Sequence, residues 1–271
     1  MKRLILSLSI LFCSLMSMLG QNPDLKVFAH RGCWSKTAEG VFIIPENSTA
    51  AVRQARKNGY LGIECDVRYT KDKKMVVLHD SRLNRTVRRA SDYSRLDKPV
   101  KLADLTFEEL RRDYVLESED PNLRTPVPTL EEILAECRKQ GMIPMLHSSV
   151  EESYDLAQKM FGDRWVCFTT SYDKLLKVRR FSNCMILLSV KGGTAEVIIE
   201  KLEMIGGECG ISSMNHSLYT ESFCKAVTGA GYEVQASIFP TEEEAEALKN
   251  GITYILTDHR LYTRKEKRRL R

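Results

Sequence analysis

The sequence predicts an α/β chain closed into a TIM (β/α)8 barrel, and three observations predict it. Short apolar runs of strand length alternate with amphipathic stretches of helix length along most of the chain. The runs are apolar on both alternating positions, as strands covered on both faces are. Eight of them are each followed by a helix or loop, the number that closes a parallel barrel, with a doubly wound open sheet as the competing arrangement. The 271 residues suffice for one such barrel, and a composition 43% hydrophobic and 28% charged excludes a disordered chain.

Taken in order, Lys26–Gly32 reads as the first strand and Glu46–Asn58 as a helix. Leu61–Thr70 is the second strand, and Met75–Asp80 a further extended piece. Ser81–Pro128 is polar, with helical material near Thr106–Tyr114, and is too long for a simple loop; it reads as a small insertion after the second strand. Thr129–Gln140 is a helix, with Thr129 as N-cap and Glu132 in the reciprocal capping position. The remaining strands are Ile143–Ser149, Trp165–Ser171, Cys184–Val190, Cys209–Met214, Tyr232–Phe239 and Tyr254–Asp258. Between them lie a helix ending near Phe161, helices over Tyr172–Phe181 and Thr194–Ile205, a mostly helical stretch over Ser217–Gly231, and a helix over Thr241–Asn250 capped by Gly251.

The formal charge of +5 is concentrated at the ends: Lys2 and Arg3 at one, and at the other a tail from Arg264 to Arg271 with six basic residues and one glutamate. The rest is close to neutral, so the charge is no sign of a nucleic-acid partner. The tail reads as a solvated end, with weak contact to a membrane surface as the alternative. Lys2 and Arg3 followed by the apolar run from Leu4 to Met16 read as an export signal, cleaved near Gly20. Residues 21–271 are then the barrel domain, exported to a periplasmic or secreted location. Anchoring as a lipoprotein through Cys13 is disfavoured by Phe12, and no later segment is apolar for long enough to cross a membrane. The seven other cysteines show no metal-finger spacing and read as reduced core residues.

Chemistry in such a barrel sits at the C-terminal ends of the strands. The first strand ends in His30-Arg31-Gly32, the second carries Glu64-Cys65-Asp66, and the extended piece ends in His79-Asp80. Glu64 and Asp66 share a strand face, with Cys65 turned to the helical shell. Two inward carboxylates repel each other and resist burial, which a cation resolves; one acid paired to Arg or Lys with the other at the rim is the structural alternative. His30 and His79 suit proton transfer, and Arg31 suits either a phosphate or an ion pair with Glu46.

These residues, with Pro-Glu-Asn-Ser at 45–48, Leu-Asn-Arg-Thr at 83–86, Pro-Thr-Leu-Glu-Glu at 128–132 and Leu-Thr-Asp at 256–258, form an ordered set. In that set the chain resembles the glycerophosphodiester phosphodiesterase family. The resemblance implies hydrolysis of a small-molecule glycerophosphodiester to glycerol 3-phosphate and an alcohol. It implies one divalent cation, Mg²⁺ or Ca²⁺, held by Glu64 and Asp66, with His30 as general base, His79 as general acid and Arg31 on the phosphate. It also implies attack by the glycerol 2-hydroxyl and a cyclic phosphate that water opens. One position departs: where the family carries Glu-x-Lys, this chain has His147-Ser148-Ser149. Three readings follow. His147 is the third ligand, which leans the site toward Mn²⁺ or Zn²⁺; the cation binds weakly through two carboxylates; or metal and activity are lost. The competing functions are a degenerate barrel that binds a phosphorylated ligand and a phospholipase-like enzyme acting on intact lipid.

Overall fold

The computed structural model describes residues 25–238 and 250–258. The expected export signal with Cys13, nearly all of the helix expected over 241–250, His259 and the basic tail lie outside the described residues.

The chain enters through β1 (Lys26–Ala29) and a small hairpin of β2 (Ser35–Lys36) and β3 (Phe42–Ile44). Helix α1 (Thr49–Lys57), β4 (Gly62–Tyr69) and β5 (Met75–Val77) follow. The segment after β5 holds β6 (Val87–Arg89), α2 (Phe107–Asp113) and β7 (Tyr114–Leu116). Then come α3 (Leu130–Gln140), β8 (Ile143–Ser148), α4 (Glu152–Phe161), β9 (Val166–Thr169), α5 (Tyr172–Arg179), β10 (Met185–Ser189), α6 (Ala195–Ile205) and β11 (Cys209–Ser213). Helix α7 (Glu221–Gly229), β12 (Glu233–Ser237) and β13 (Tyr254–Thr257) complete the described chain.

Eight strands run parallel in the order β1-β13-β12-β11-β10-β9-β8-β4, and β4 returns to β1. The sheet is therefore closed, a TIM barrel and not a doubly wound open sheet. Strand β5 is an antiparallel appendage on the far end of β4. The interior is filled by Phe28, Met145, Phe168, Leu187, Tyr254 and Leu256 among others. The alternate residues, such as Val27, Cys65, Leu146, Cys167 and Ile255, face the helical shell.

Helix α3 begins as its sequence predicts: the Thr129 side chain accepts from Glu132 N while Glu132 reaches back to the Thr129 N–H. The stretch expected to be mostly helix over Ser217–Gly231 holds α7, preceded by a 3₁₀ turn at His216–Leu218. Thr220 starts α7 as its N-cap, accepting from Phe223 N at 3.2 Å. Among the described residues six cysteines are buried with free thiols, and Cys33 is partly buried and accepts from Asn58 Nδ2. Burial pushes the Cys184, Cys209 and Cys224 thiols up to about 11, which makes them poor nucleophiles.

Residues 81–128 pack around a separate apolar cluster that includes Leu83, Val87, Leu102, Leu110, Leu116 and Val127. Strands β6 and β7 pair antiparallel, and a buried Arg88–Glu117 ion pair joins them. This segment also clips the first hairpin: Ser118 Oγ donates to Ile43 O at 2.8 Å, and Glu119 N to Phe42 O at 2.7 Å.

Closure at β4 requires a residue without a side chain. A Cβ on Gly62 would lie 2.2 Å from Ile143 O and 2.3 Å from Phe28 Cε1, backbone on one side and a packed ring on the other. Gly62→Ala is expected to destabilise the fold by about 2 kcal/mol or more, read as a lower urea midpoint at unchanged m-value.

Candidate functional site

The site begins with the alternation of β4. Glu64 and Asp66 point into the barrel mouth and are 1% and 6% exposed, while Cys65 packs outward. The parallel register sets Asp66 beside His147 of β8. His147 Nδ1 lies 3.4 Å from Asp66 Oδ1 and 3.7 Å from Glu64 Oε1, and its ring rests against Phe168 at 4.9 Å. Its side chain is 45% exposed, so the imidazole sits over the carboxylates as an outer wall.

The turn before α1 holds this pair from the other side. Ser48 caps α1 by accepting from Ala51 N at 3.0 Å. Asn47 adopts a left-handed φ of 52°, a conformation that asparagine tolerates. From there it donates Nδ2 to Asp66 Oδ2 at 3.0 Å and accepts from Asp66 N at 3.3 Å. Arg31 is also left-handed, at φ 56°, and its N–H reaches Glu64 Oε2 at 3.0 Å. Gly32 follows because a Cβ there would meet Ala51 Cβ at 2.7 Å, so the end of β1 lies directly on α1.

The Arg31 guanidinium was open to two readings in the sequence, and the structure makes the ion pair: Nη1 donates to Glu46 Oε1 at 3.2 Å. Its Nε is buried without a hydrogen-bond partner among the described residues, 3.6 Å from Asp66 Oδ2. That leaves donor capacity at the carboxylates.

His30 and His79 are each held by a carboxylate. His30 Nδ1 and Asp258 Oδ1 are 2.8 Å apart, and His79 Nδ1 and Asp80 Oδ1 are 2.7 Å apart. In both, the contact at Nδ1 leaves Nε2 for other partners. Asp80 Oδ2 accepts from Arg85 Nε at 2.6 Å, and Arg85 clamps Glu46 through two nitrogens at 2.8 and 2.6 Å. A continuous chain of charged hydrogen bonds thus runs from His79 through Asp80, Arg85 and Glu46 to Arg31. Arg68 donates to the carbonyls of Leu78 and His79, fixing the backbone on which His79 is mounted.

Burial and the neighbouring Asp66 charge push the Glu64 carboxyl well above its usual range, against the pull of Arg31. For Asp66, burial acts upward but is outweighed by hydrogen bonding from His147 and Asn47 and by nearby His79, which hold it at about 2. Asp258 is likewise pushed up by burial and brought below its ordinary range by its bond and charge interaction with His30, the Trp34 N–H and Arg31.

Donor atoms of Glu64, Asp66 and His147 lie within 4.8 Å of one another. Two buried carboxylates that destabilise each other, joined by one imidazole nitrogen, fit a divalent cation. Ser149 offers no such group: it is exposed, and its carbonyl accepts from Lys174. Glu151 and Glu152 are exposed and open α4, with Glu151 paired to Lys177. Gln235 and Ser237 face the barrel interior, where Ser237 Oγ meets Ser212 Oγ at 2.6 Å and Gln235 Nε2 meets Met145 Sδ at 3.8 Å.

The six residues singled out from the sequence fall into this arrangement: Arg31, Glu64, Asp66 and His147 in one cluster, and His30 and His79 in the two carboxylate-held pairs. The sequence assigned no roles to Asn47, Asp80, Arg85 or Asp258, although each lay inside a quoted motif. Trp34 had no signal, because its indole N–H bonds to a residue 224 positions away in the chain.

Comparison with known proteins gives one answer. Glycerophosphodiester phosphodiesterase 1 of Bos taurus is 37% identical over 132 residues, 47% of this chain and 34% of that protein. A glycerophosphodiester phosphodiesterase of Bacillus altitudinis is 40% identical over 111 residues, 40% of this chain and 38% of that protein. The chain therefore spans less than half the length of these curated relatives. The solved phosphodiesterase of Oleispira antarctica, in complex with the product sn-glycerol-3-phosphate, shares the fold at a TM-score of 0.66 and 22% identity, over 86% of this chain and 92% of that one. The glycerophosphodiester phosphodiesterase of Thermotoga maritima does so at a TM-score of 0.66 and 20% identity, over 93% and 100%. The family's sequence profile matches residues 30–190, which include the carboxylate pair, both histidines and His147. The chain belongs to the glycerophosphoryl diester phosphodiesterase family.

Proposed function

We propose that the chain hydrolyses glycerophosphodiesters to glycerol 3-phosphate and an alcohol, using a divalent cation held by Glu64, Asp66 and His147. The observation that carries this reading is the pair of carboxylate-held histidines flanking a buried carboxylate pair. Binding alone requires no second proton-transfer group, and here two are built, each with Nδ1 engaged.

His30, oriented by Asp258, accepts the proton of the attacking hydroxyl at Nε2. His79, oriented by Asp80, delivers a proton to the oxygen of the departing alcohol. Arg31 donates to a phosphate oxygen, and Arg85 keeps Glu46 and Asp80 in place while the charge redistributes. A bound cation supplies neutralisation of the phosphate charge and of the Glu64–Asp66 repulsion. The third donor being nitrogen, the site should favour Mn²⁺ or Zn²⁺ over Ca²⁺. We also propose export, on Lys2 and Arg3 followed by the apolar run from Leu4 to Met16; recovery of a chain beginning near Gln21 from outside the cytoplasm would support it, and a cytoplasmic chain retaining Met1 would end it.

Glycerol 3-phosphate release from glycerophosphocholine, glycerophosphoethanolamine and glycerophosphoinositol tests the activity. Turnover should vanish in EDTA and fall at least about 100-fold in His30→Ala with the melting temperature retained. Titration calorimetry should show Mn²⁺ binding tighter than Ca²⁺, with the order moving toward Ca²⁺ in His147→Glu. Absence of turnover in the native chain, with recovery in His147→Glu, would instead identify a degenerate site.

Acid stability follows from Asp258. Its folded carboxyl lies below the unfolded value of about 3.9, so its bond with His30 contributes stability above that pH and loses it as the pH falls further. Asp258→Asn is expected to flatten the decline in melting temperature below about pH 4; an unchanged acid limb would contradict it.

A further inference from the structure

Asp258 lies just past β13, beyond the hydrogen-bonded ladder, and its side chain is 25% exposed. A carboxylate there has a broad, roughly two-fold terminal torsion unless donors fix it. Among the described residues two side-chain donors do so, and both end on the same oxygen: His30 Nδ1 at 2.8 Å and Trp34 Nε1 at 3.1 Å from Oδ1.

The indole is itself held. It meets the buried Phe42 ring edge-on at 6.0 Å, and the Lys36 ammonium lies 4.2 Å over Phe42 and 5.7 Å over Trp34. Phe42 belongs to β3, the strand that Ser118 and Glu119 clip to the segment after β5. The indole N–H is therefore presented from a braced hairpin, not from a free loop.

We propose that Trp34 is a positioning residue for the general base: its N–H, shared on Asp258 Oδ1 with His30 Nδ1, fixes the carboxylate and through it the direction of His30 Nε2. The proposal rests on the reading of His30 as base. Trp34 touches no reacting atom; it removes a rotational freedom that would otherwise pass to the imidazole. A hydrogen bond to a carboxylate contributes enough to matter here, and small misplacements of a base are costly in rate.

Trp34→Phe keeps an aromatic ring against Phe42 and removes only the donor. With glycerophosphoinositol and the preferred cation, kcat should fall about tenfold while KM stays within about twofold. In an Asp258→Asn background the same substitution should cost nothing further, because the two act through one bond. Glu39→Gln, which alters the exposed hairpin surface and leaves the indole and its neighbours in place, should retain native kcat. In proton NMR the downfield His30–Asp258 proton should shift or broaden in Trp34→Phe. Native kcat in Trp34→Phe, multiplicative losses in the double variant, or a loss matched by a fallen melting temperature would overturn the proposal. If the native chain turns over no glycerophosphodiester, the functional reading fails separately, and the NMR comparison still decides: an unmoved proton signal would overturn the role of Trp34.

Discussion

Two carboxylates set two residues apart on one buried strand face are the constraint around which the mouth of this barrel is organised. Each is costly to bury as an anion, and each worsens the other. The surroundings answer atom by atom: a backbone N–H of Arg31 on Glu64, an asparagine amide on Asp66, and an imidazole wall across both. Two residues accept left-handed backbone conformations to make those contacts, a local cost borne beside the carboxylate pair. The burial that makes the pair unfavourable is also what would make a divalent ion there effective, since charges interact more strongly away from water.

The charge network extends that logic to the histidines. Glu46 is 4% exposed and would be an isolated buried anion without Arg31 and Arg85. Arg85 in turn secures Asp80, and Asp80 secures His79. Removing one member strands another, so the network couples the turn before α1 to the loop after β5. These contacts join residues from 1 to 39 positions apart in the chain, all at one end of the barrel.

Much of this was legible in the sequence, for reasons that are themselves physical. Strand alternation put Glu64 and Asp66 together and Cys65 apart, and the capping pair Thr129 and Glu132 announced α3. His147 was visible as an oddity because it stands where the resembled family carries the glutamate of Glu-x-Lys. Roles that depend on which loop folds over which were not visible. Nothing local to Asp258 says that it will hold His30, and nothing local to Arg85 says that it will clamp Glu46. The mostly helical reading of Ser217–Gly231 left its start open, because one good N-cap, Thr220, can begin a helix without any break in the apolar pattern.

The bond between His30 and Asp258 spans the line where the barrel shuts, β1 against β13. Chemistry and closure therefore share a seam. A barrel whose β13 has detached still contains the carboxylate pair and His79, yet His30 has lost its anchor. Opening too slight to register as unfolding would silence such a site first, so catalysis would report on the integrity of the closed ring more sensitively than spectroscopy does.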